Sequence, residues 1–555
     1  MIVLFLLADQ RIFRLDNFQS KNMIKKILRT RFAFVCLKKI NKVKYFRIFF
    51  RENSKIKRVF LKQIQFYSID NNNRYSNVLT QEVDHHKFTI KLGMVIKAYS
   101  KKNKINVYSY SPYFNRRLGW IDKYEKGYFS IFQSFTSRIY RKMGYQKLFS
   151  LDDSFKDKKV ISDLFYLKYS KLKTTEDLLN LEIEGIQIGD LIYDTYLRFY
   201  EKHTINNLND DNLKKLIHFS IDNFFLVKHY IEKFSITALF TTYTTYTTHG
   251  LAVRICLDKG IPVYSVGDDS YMVKRVIKEY PYSVNNYWEF KKNKLNKDLE
   301  VRIIKDLNFR FQGGIDNAIS YMRSSSFKYS NEKMYFFENR LKRNVVIYVH
   351  DLFDSPHWLK KMQFNDYFEY IIGICDCIKN DNSTRYYVKL HPNAIKNSNE
   401  IISEYINKLN TESISILPLS ISNLEIINFR PDLIVTVNGT VGMEMAYFEI
   451  PVVALEDNIY MNFSFVHTCS SLNEFYSIVK GEKPPVVNFN RDEIISFYYQ
   501  AYIHDLLPFD KKILPFISSN GYVSLDEFLN ECNSNEQLLY SEDLIGVINE
   551  IFNLN

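Results

Sequence analysis

From Asn212 to Phe234 apolar residues recur at helical spacing: Leu213, Leu216, Ile217, Ile221, Phe224, Phe225 and Val227 share one face. Ile236–Phe240 then reads as a strand, and a Thr/Tyr-rich turn covers 241–248. His249-Gly250 opens a helix to Asp258, Gly260-Ile-Pro262 stops it, and Val263–Val266 is the next strand. That is a βαβ unit. Upstream, His85–Lys101 reads as a helix and Lys104–Tyr110 as a strand. A second series begins at Asn344–Val349. It continues through a Phe364–Lys379 helix, an Arg385–Leu390 strand, a Ser398–Asn410 helix and a Ser413–Leu417 strand. The Leu433–Val437 strand, the Val441–Phe448 helix and the Pro451–Leu455 strand complete it. Residues 271–340 are charged and mostly helical in pattern, and bridge the two series. Such alternation predicts parallel sheets with helices on both faces.

The chain has 555 residues, too many for one ordinary core. The pattern therefore predicts an α/β protein of two Rossmann-like domains, 85–335 (with the bridge) and 336–490, with a cleft between them. A basic N-terminal extension, 1–84, and a helical C-terminal extension, 491–555, flank them. Hydrophobic residues at 46% and charged residues at 25% place the chain among globular proteins, not disordered ones.

The net charge of +13 permits an anionic partner. Much of it is local: residues 21–62 carry fifteen Lys and Arg against Glu52 alone, interleaved with Phe32, Phe34, Tyr45, Phe46, Phe49 and Phe50. Such a surface suits anionic lipid; a solvated basic face is the plain alternative. No zinc finger or RNP-type strand points to nucleic acid. No stretch reaches the roughly 18 apolar residues that span a bilayer. Six cysteines without a CxxC pair fit a reducing cytoplasm and give no metal-type spacing.

Two strands end abruptly in polar clusters. Val388-Lys389-Leu390-His391-Pro392 is one; Val437-Asn438-Gly439-Thr440-Val441-Gly442-Met443-Glu444 is the other. In open α/β sheets ligands collect at the carboxyl ends of strands. Pro392 cannot continue a ladder and fixes His391 at the sheet edge. An imidazole there can bond a phosphate or nucleobase without a permanent charge. Asn438, Gly439, Thr440 and Gly442 supply close backbone approach and a hydroxyl before a helix start, which suits phosphate. Glu444, one turn on, could accept from ribose hydroxyls. A loop-satisfied histidine and a tight strand–helix turn capped by Thr440 are the bland alternatives.

The His391-Pro392 element, the Gly439-Thr440 turn, the Glu444-bearing helix and Pro451-Val-Val together resemble the GT-B capsule-polysaccharide biosynthesis proteins. That group includes Kdo-transferase-like and bacterial sialyltransferase-like enzymes. Val349-His350-Asp351-Leu-Phe-Asp354-Ser-Pro-His357 with Asp366-Tyr367-Phe368-Glu369 is similar to the start of their donor domain. Glu184-Gly185 through Arg198, and the Tyr-rich turn before His249-Gly250, are similar to segments of the first half. The His-Pro element also resembles that of CDP-glycerol phosphotransferases. One departure stands out: sialyltransferase-like members carry an acidic-acidic-Gly motif, whereas this chain has Gly267-Asp268-Asp269.

The resemblance implies a metal-independent glycosyltransferase with a nucleotide-sugar as substrate and no other cofactor. Lys389, His391, Pro392, Asn438, Gly439, Thr440, Gly442 and Glu444 would hold the donor. Tyr246, His249 and Arg254 would face a glycan or lipid-linked acceptor. An inverting reaction needs a carboxylate to take the acceptor's proton. Asp190 and Asp194, four apart on one helical face, are the first candidates and Asp268 the second; a helix cap or ion pair is the alternative for each. His350, Asp351, Asp354 and His357 sit in one loop without a closed metal-ligand set, and suit donor positioning or loop polarity. A nucleotide-sugar epimerase of the UDP-GlcNAc 2-epimerase type, or a non-catalytic assembly or export component, remain as alternatives. The place expected for the protein is the cytoplasm, with the basic segment on the inner membrane face.

Overall fold

The computed structural model describes residues 68–505, apart from 70–75, 84–85, 113–136, 268–270, 283–286, 320–321, 329–341, 360–362 and positions 138, 323, 396 and 456. The basic 21–62 stretch, Asp268 and most of the C-terminal extension therefore lie outside the described residues.

Two parallel sheets organise the rest. In chain order the first half contributes β1 (Ser76–Gln81), β2 (Ile105–Ser111), β3 (Gln146–Ser150), a small antiparallel ribbon of β4 (Glu182–Ile183) and β5 (Ile186–Gln187), then β6 (Ile236–Thr241), β7 (Val263–Val266) and β8 (Val273–Val276). Its main sheet runs β3-β2-β1-β6-β7-β8, parallel except for β8. The second half contributes β9 (Arg343–Tyr348), β10 (Thr384–Lys389), β11 (Ile414–Leu417), β12 (Leu433–Val435), β13 (Val452–Leu455) and β14 (His467–Cys469). They form a wholly parallel sheet in the order β11-β10-β9-β12-β13-β14. Both orders start centrally, run outward one way, then restart on the other side. These are two Rossmann-like units, as the alternation predicted.

Burial explains the strand compositions. Val345, Val346, Ile347, Leu433, Ile434, Val435, Val452 and Val453 are all buried, because helices cover both faces of the sheet. Successive residues feed opposite cores: Val346, Ile434 and Val452 face one, Val345, Val435 and Val453 the other.

The domain limits differ from the sequence expectation. β1 is the central strand of the first sheet, so that half begins before residue 84. Its sequence hides this, since Thr80 and Gln81 are polar yet fully buried. The described residues of the 271–340 bridge are mostly not helical: they hold β8, short 3-10 turns at Tyr287–Glu289 and Asn317–Ile319, and the Lys297–Phe311 helix. That helix sends Ile303 and Leu307 into the second half's core, beside Phe497 and Tyr498 of the Arg491–Tyr502 helix. The second half thus draws on segments from both sides of 336–490.

Candidate functional site

The strand order of the second sheet reverses between β9 and β12, and the carboxyl ends at such a switch point are where open α/β sheets hold ligands. His350 follows β9, His391 follows the adjacent β10, and Asn438 follows β12, so the topology brings all three to one edge. The His350 and His391 rings lie nearly parallel with centroids 6.1 Å apart. His350 also stacks on Tyr367 at 4.5 Å. Asn438 lies against both His350 and Tyr367 without a well-formed hydrogen bond. As a result the His350 Nδ1, His391 Nδ1, Asn438 Oδ1 and Tyr367 hydroxyl are all buried and unpartnered. Buried polar atoms without partners are uncommon, and a cluster of four at a switch point makes this the candidate site for a polar ligand.

Its electrostatics are mild. Burial pushes His391 down to about 4, with His350 and Lys389 adding to the shift and Asp354 opposing it. Burial also lowers His350, against Asp354 and Asp351. Both imidazoles are neutral at neutral pH. Lys389, buried at the end of β10, falls to about 8 through burial, with Glu425 opposing. It is the cation of this edge. Pro392 is exposed just beyond His391.

The Thr440–Glu444 end of the second cluster is built differently. The Arg310 guanidinium, fully buried, donates from Nε to Glu444 Oε1 at 2.9 Å, from one terminal nitrogen to Asp316 at 2.8 Å and from the other to Thr440 Oγ1 at 2.8 Å. The Thr440 hydroxyl donates to Glu444 Oε1 at 2.9 Å, and Asn423 donates to Glu444 Oε2 at 2.8 Å. Tyr498 closes the network on Asp316 at 2.8 Å. Glu444, expected at ribose hydroxyls, therefore has both oxygens taken by protein. Thr440 offers a ligand a lone pair and no proton, and it makes no cap hydrogen bond to the seven-residue Val441–Tyr447 helix. The two glycines also part company. A Cβ on Gly442 would meet the Tyr460 ring at 2.5 Å, whereas one on Gly439 would meet nothing closer than 3.7 Å. Packing demands the first glycine, whereas a methyl at the second would sit in ordinary contact with Thr436 and Val441.

On the first half, Asp190 and Asp194 do share a face of the Gly189–Tyr200 helix, and both are sequestered. Asp190 takes a two-pronged ion pair from Arg254, which also donates to the Gln187 carbonyl. Both residues carry structure there. Asp194 accepts from Ser355 at 2.5 Å and from His357 Nδ1 at 2.5 Å, a buried contact between the halves. Burial would lower His357, but the charge and hydrogen bond of Asp194, with Asp190 and Asp366 behind, raise it. Burial likewise raises Asp194, against its bonds to His357 and Ser355. Tyr193 donates to Asp366 at 2.6 Å, a second crossing. His249 pairs with Gln81 and is pushed down to about 4 by burial. Tyr246 holds a left-handed backbone, φ +60°, and meets Phe199 edge-on.

Sequence reading gave Asp354 only donor positioning or loop polarity. It is exposed, its one side-chain bond is to the adjacent Ser355 amide at 3.1 Å, and its charge acts on His350, His391, Tyr367 and, across the halves, Tyr246. Among Asp190, Asp194 and Asp354 it is the carboxylate with room to meet a ligand. Arg310 was missed as well.

The His467, Cys469 and Glu474 ligand atoms lie within 4.8 Å of one another. His467 Nδ1 accepts from the Val486 amide at 2.8 Å, so a neutral ring keeps its proton on Nε2, facing Glu474. Glu474 is further held by Lys483 at 2.7 Å. The set is internally satisfied.

Neither a family model nor a curated protein matches this chain. Among solved structures it is similar to KpsC, beta Kdo 2,4 transferase, of Thermosulfurimonas dismutans, at 12% identity over 48% of this chain and 79% of that one, TM-score 0.31. It is also similar to a UDP-GlcNAc 2-epimerase of Methanocaldococcus jannaschii in complex with UDP-GlcNAc and UDP, at 11% identity over 76% and 97%, TM-score 0.25. A putative UDP-N-acetylglucosamine 2-epimerase of Listeria monocytogenes gives 10% identity over 80% and 96%, TM-score 0.24. Likeness at this level decides nothing about chemistry, which rests on the residues above. No helix among the described residues is long and apolar enough to cross a membrane.

Proposed function

We propose that this protein is a glycosyltransferase of the GT-B kind. It would transfer a sugar from a nucleotide-activated donor to a glycan or lipid-linked acceptor in the synthesis of a capsule or other surface polysaccharide. The observation that carries this reading is the group of four unpartnered polar atoms at the second sheet's switch point. A donor's phosphate and nucleoside supply the partners these atoms lack: hydrogen bonds from His391 and His350, the charge of Lys389, and a close backbone approach at Gly439. Neutral imidazoles and one cation stabilise the leaving phosphate as it gains charge. The acceptor enters from the first half, and Asp354 takes its hydroxyl proton as the oxygen bonds the anomeric carbon and the nucleotide departs. The basic 21–62 segment would hold the enzyme on an anionic membrane where lipid-linked acceptors reside.

A thermal-shift panel of CMP, UDP, CDP and GDP tests the reading. One nucleotide should raise Tm in the intact protein and fail to do so in His391→Ala. Product analysis with that donor then separates the activities. Sugar should stay on the nucleotide, with unchanged stereochemistry, until an acceptor is added; epimerised sugar without acceptor would replace transfer by epimerisation.

A further inference from the structure

A second groove lies on the first half, between the Lys158–Tyr169 and Asp211–Lys233 helices, with a volume of about 450 Å³. One wall is aromatic. Phe165 and Tyr169, one helical turn apart, stack at 5.4 Å and 18°, and Tyr166 beside them is 68% exposed. The other wall is cationic, formed by Lys214 and Lys215. Lys214 sits 5.6 Å from the Tyr169 ring centre, and Lys215 forms no ion pair with any described residue.

The wall is preorganised. The Tyr169 hydroxyl is tied to the Leu208 carbonyl at 2.9 Å and to Asn209 at 2.9 Å, which fixes its ring before any ligand arrives. An exposed aromatic surface of this kind is costly in water unless something flat and partly apolar covers it. Two ammonium groups without carboxylate partners call for an anion. The pyranose ring of an acidic sugar meets both demands: its C–H face covers an aromatic ring while its carboxylate reaches a lysine. The groove lining contains no Asn, Gln, Ser, Thr or acidic side chain to read the edge of a nucleobase.

We infer that this groove binds an acidic saccharide segment of the growing chain, at a site separate from the donor crevice. The identity of the ligand rests on the transferase reading; the existence of the site does not.

Calorimetric titration of the full chain with tetragalacturonate, and with maltotetraose as the neutral counterpart, tests it. Tetragalacturonate should bind about tenfold more tightly than maltotetraose, a preference that shrinks as salt is raised. Lys214→Gln/Lys215→Gln should remove that preference. Tyr166→Ala should weaken both sugars by about tenfold, the scale of one lost aromatic contact. Each variant should keep the wild-type Tm and the wild-type nucleotide shift, which separates this site from the donor site. Absent tetragalacturonate binding, or binding unchanged by these substitutions, would overturn the proposal. So would an oligothymidylate that binds the groove as tightly, which would mark a nucleic-acid surface. Should nucleotides fail to bind while tetragalacturonate binds here, the donor reading falls and the groove stands.

Discussion

The two halves share one strand order and differ in what stands at its switch point. On the first sheet Gln81 donates to Thr241 at 3.0 Å and Thr242 at 2.7 Å, and its oxygen meets His249. These side chains satisfy one another. Unpartnered hydroxyls remain on neighbouring positions, at Thr80, Tyr110, Ser111 and Thr248. On the second sheet the unmet atoms belong to imidazoles and an amide beside a desolvated lysine. Hydroxyls suit a hydroxyl-rich acceptor, whereas imidazoles and a cation suit a phosphate. The same backbone topology thus carries two different sets of side chains at its strand ends.

The largest effect should come from the buried network that shapes the second crevice. Arg310→Met leaves Glu444 and Asp316 buried without their cation, a loss of about 3–5 kcal/mol. Chemical denaturation should show it as a lower midpoint. The contact between halves is next. His357→Gln should lower stability most at mildly acidic pH. A group whose folded value is raised stabilises fully below its ordinary value of 6.5 and loses that contribution as pH rises through the folded value. Wild-type and variant unfolding curves should therefore converge on the alkaline side; a gap that widens there would contradict the pairing.

His391→Ala should cost little stability, about 1 kcal/mol or less, because its Nδ1 has no protein partner to lose. It should weaken nucleotide binding by about tenfold or more. His249→Ala should leave nucleotide binding alone and raise the KM for acceptor, which sharpens the contrast between crevices. The glycines give the smallest and cleanest split. Gly442→Ala must displace Tyr460 and should lose about 1–3 kcal/mol. Gly439→Ala should fold normally, since its Cβ would meet Thr436 and Val441 at an ordinary 3.7 Å, and should lose nucleotide affinity by blocking the donor's approach to the backbone.

Much of the frame was legible because it is local. Apolar runs ending at Lys389 and Val437 mark strand ends, and polar clusters after them mark an edge. β1 was not legible, since its buried Thr80 and Gln81 look like surface residues in sequence. The Arg310 network was invisible for a different reason: its partner Glu444 lies 134 positions away, and nothing in local periodicity marks a buried cation. Carboxylates suffer the same ambiguity. Asp190, Asp194 and Asp354 are alike on paper, and only burial and partners separate two buried, paired acids from one that is exposed.

A crystal structure grown with the nucleotide that most raises Tm tests the central claim most directly. The account predicts its phosphate within hydrogen-bond reach of His391, with Asn438 and His350 engaged. A nucleotide seated instead on Gln81 and His249 of the first half would contradict it.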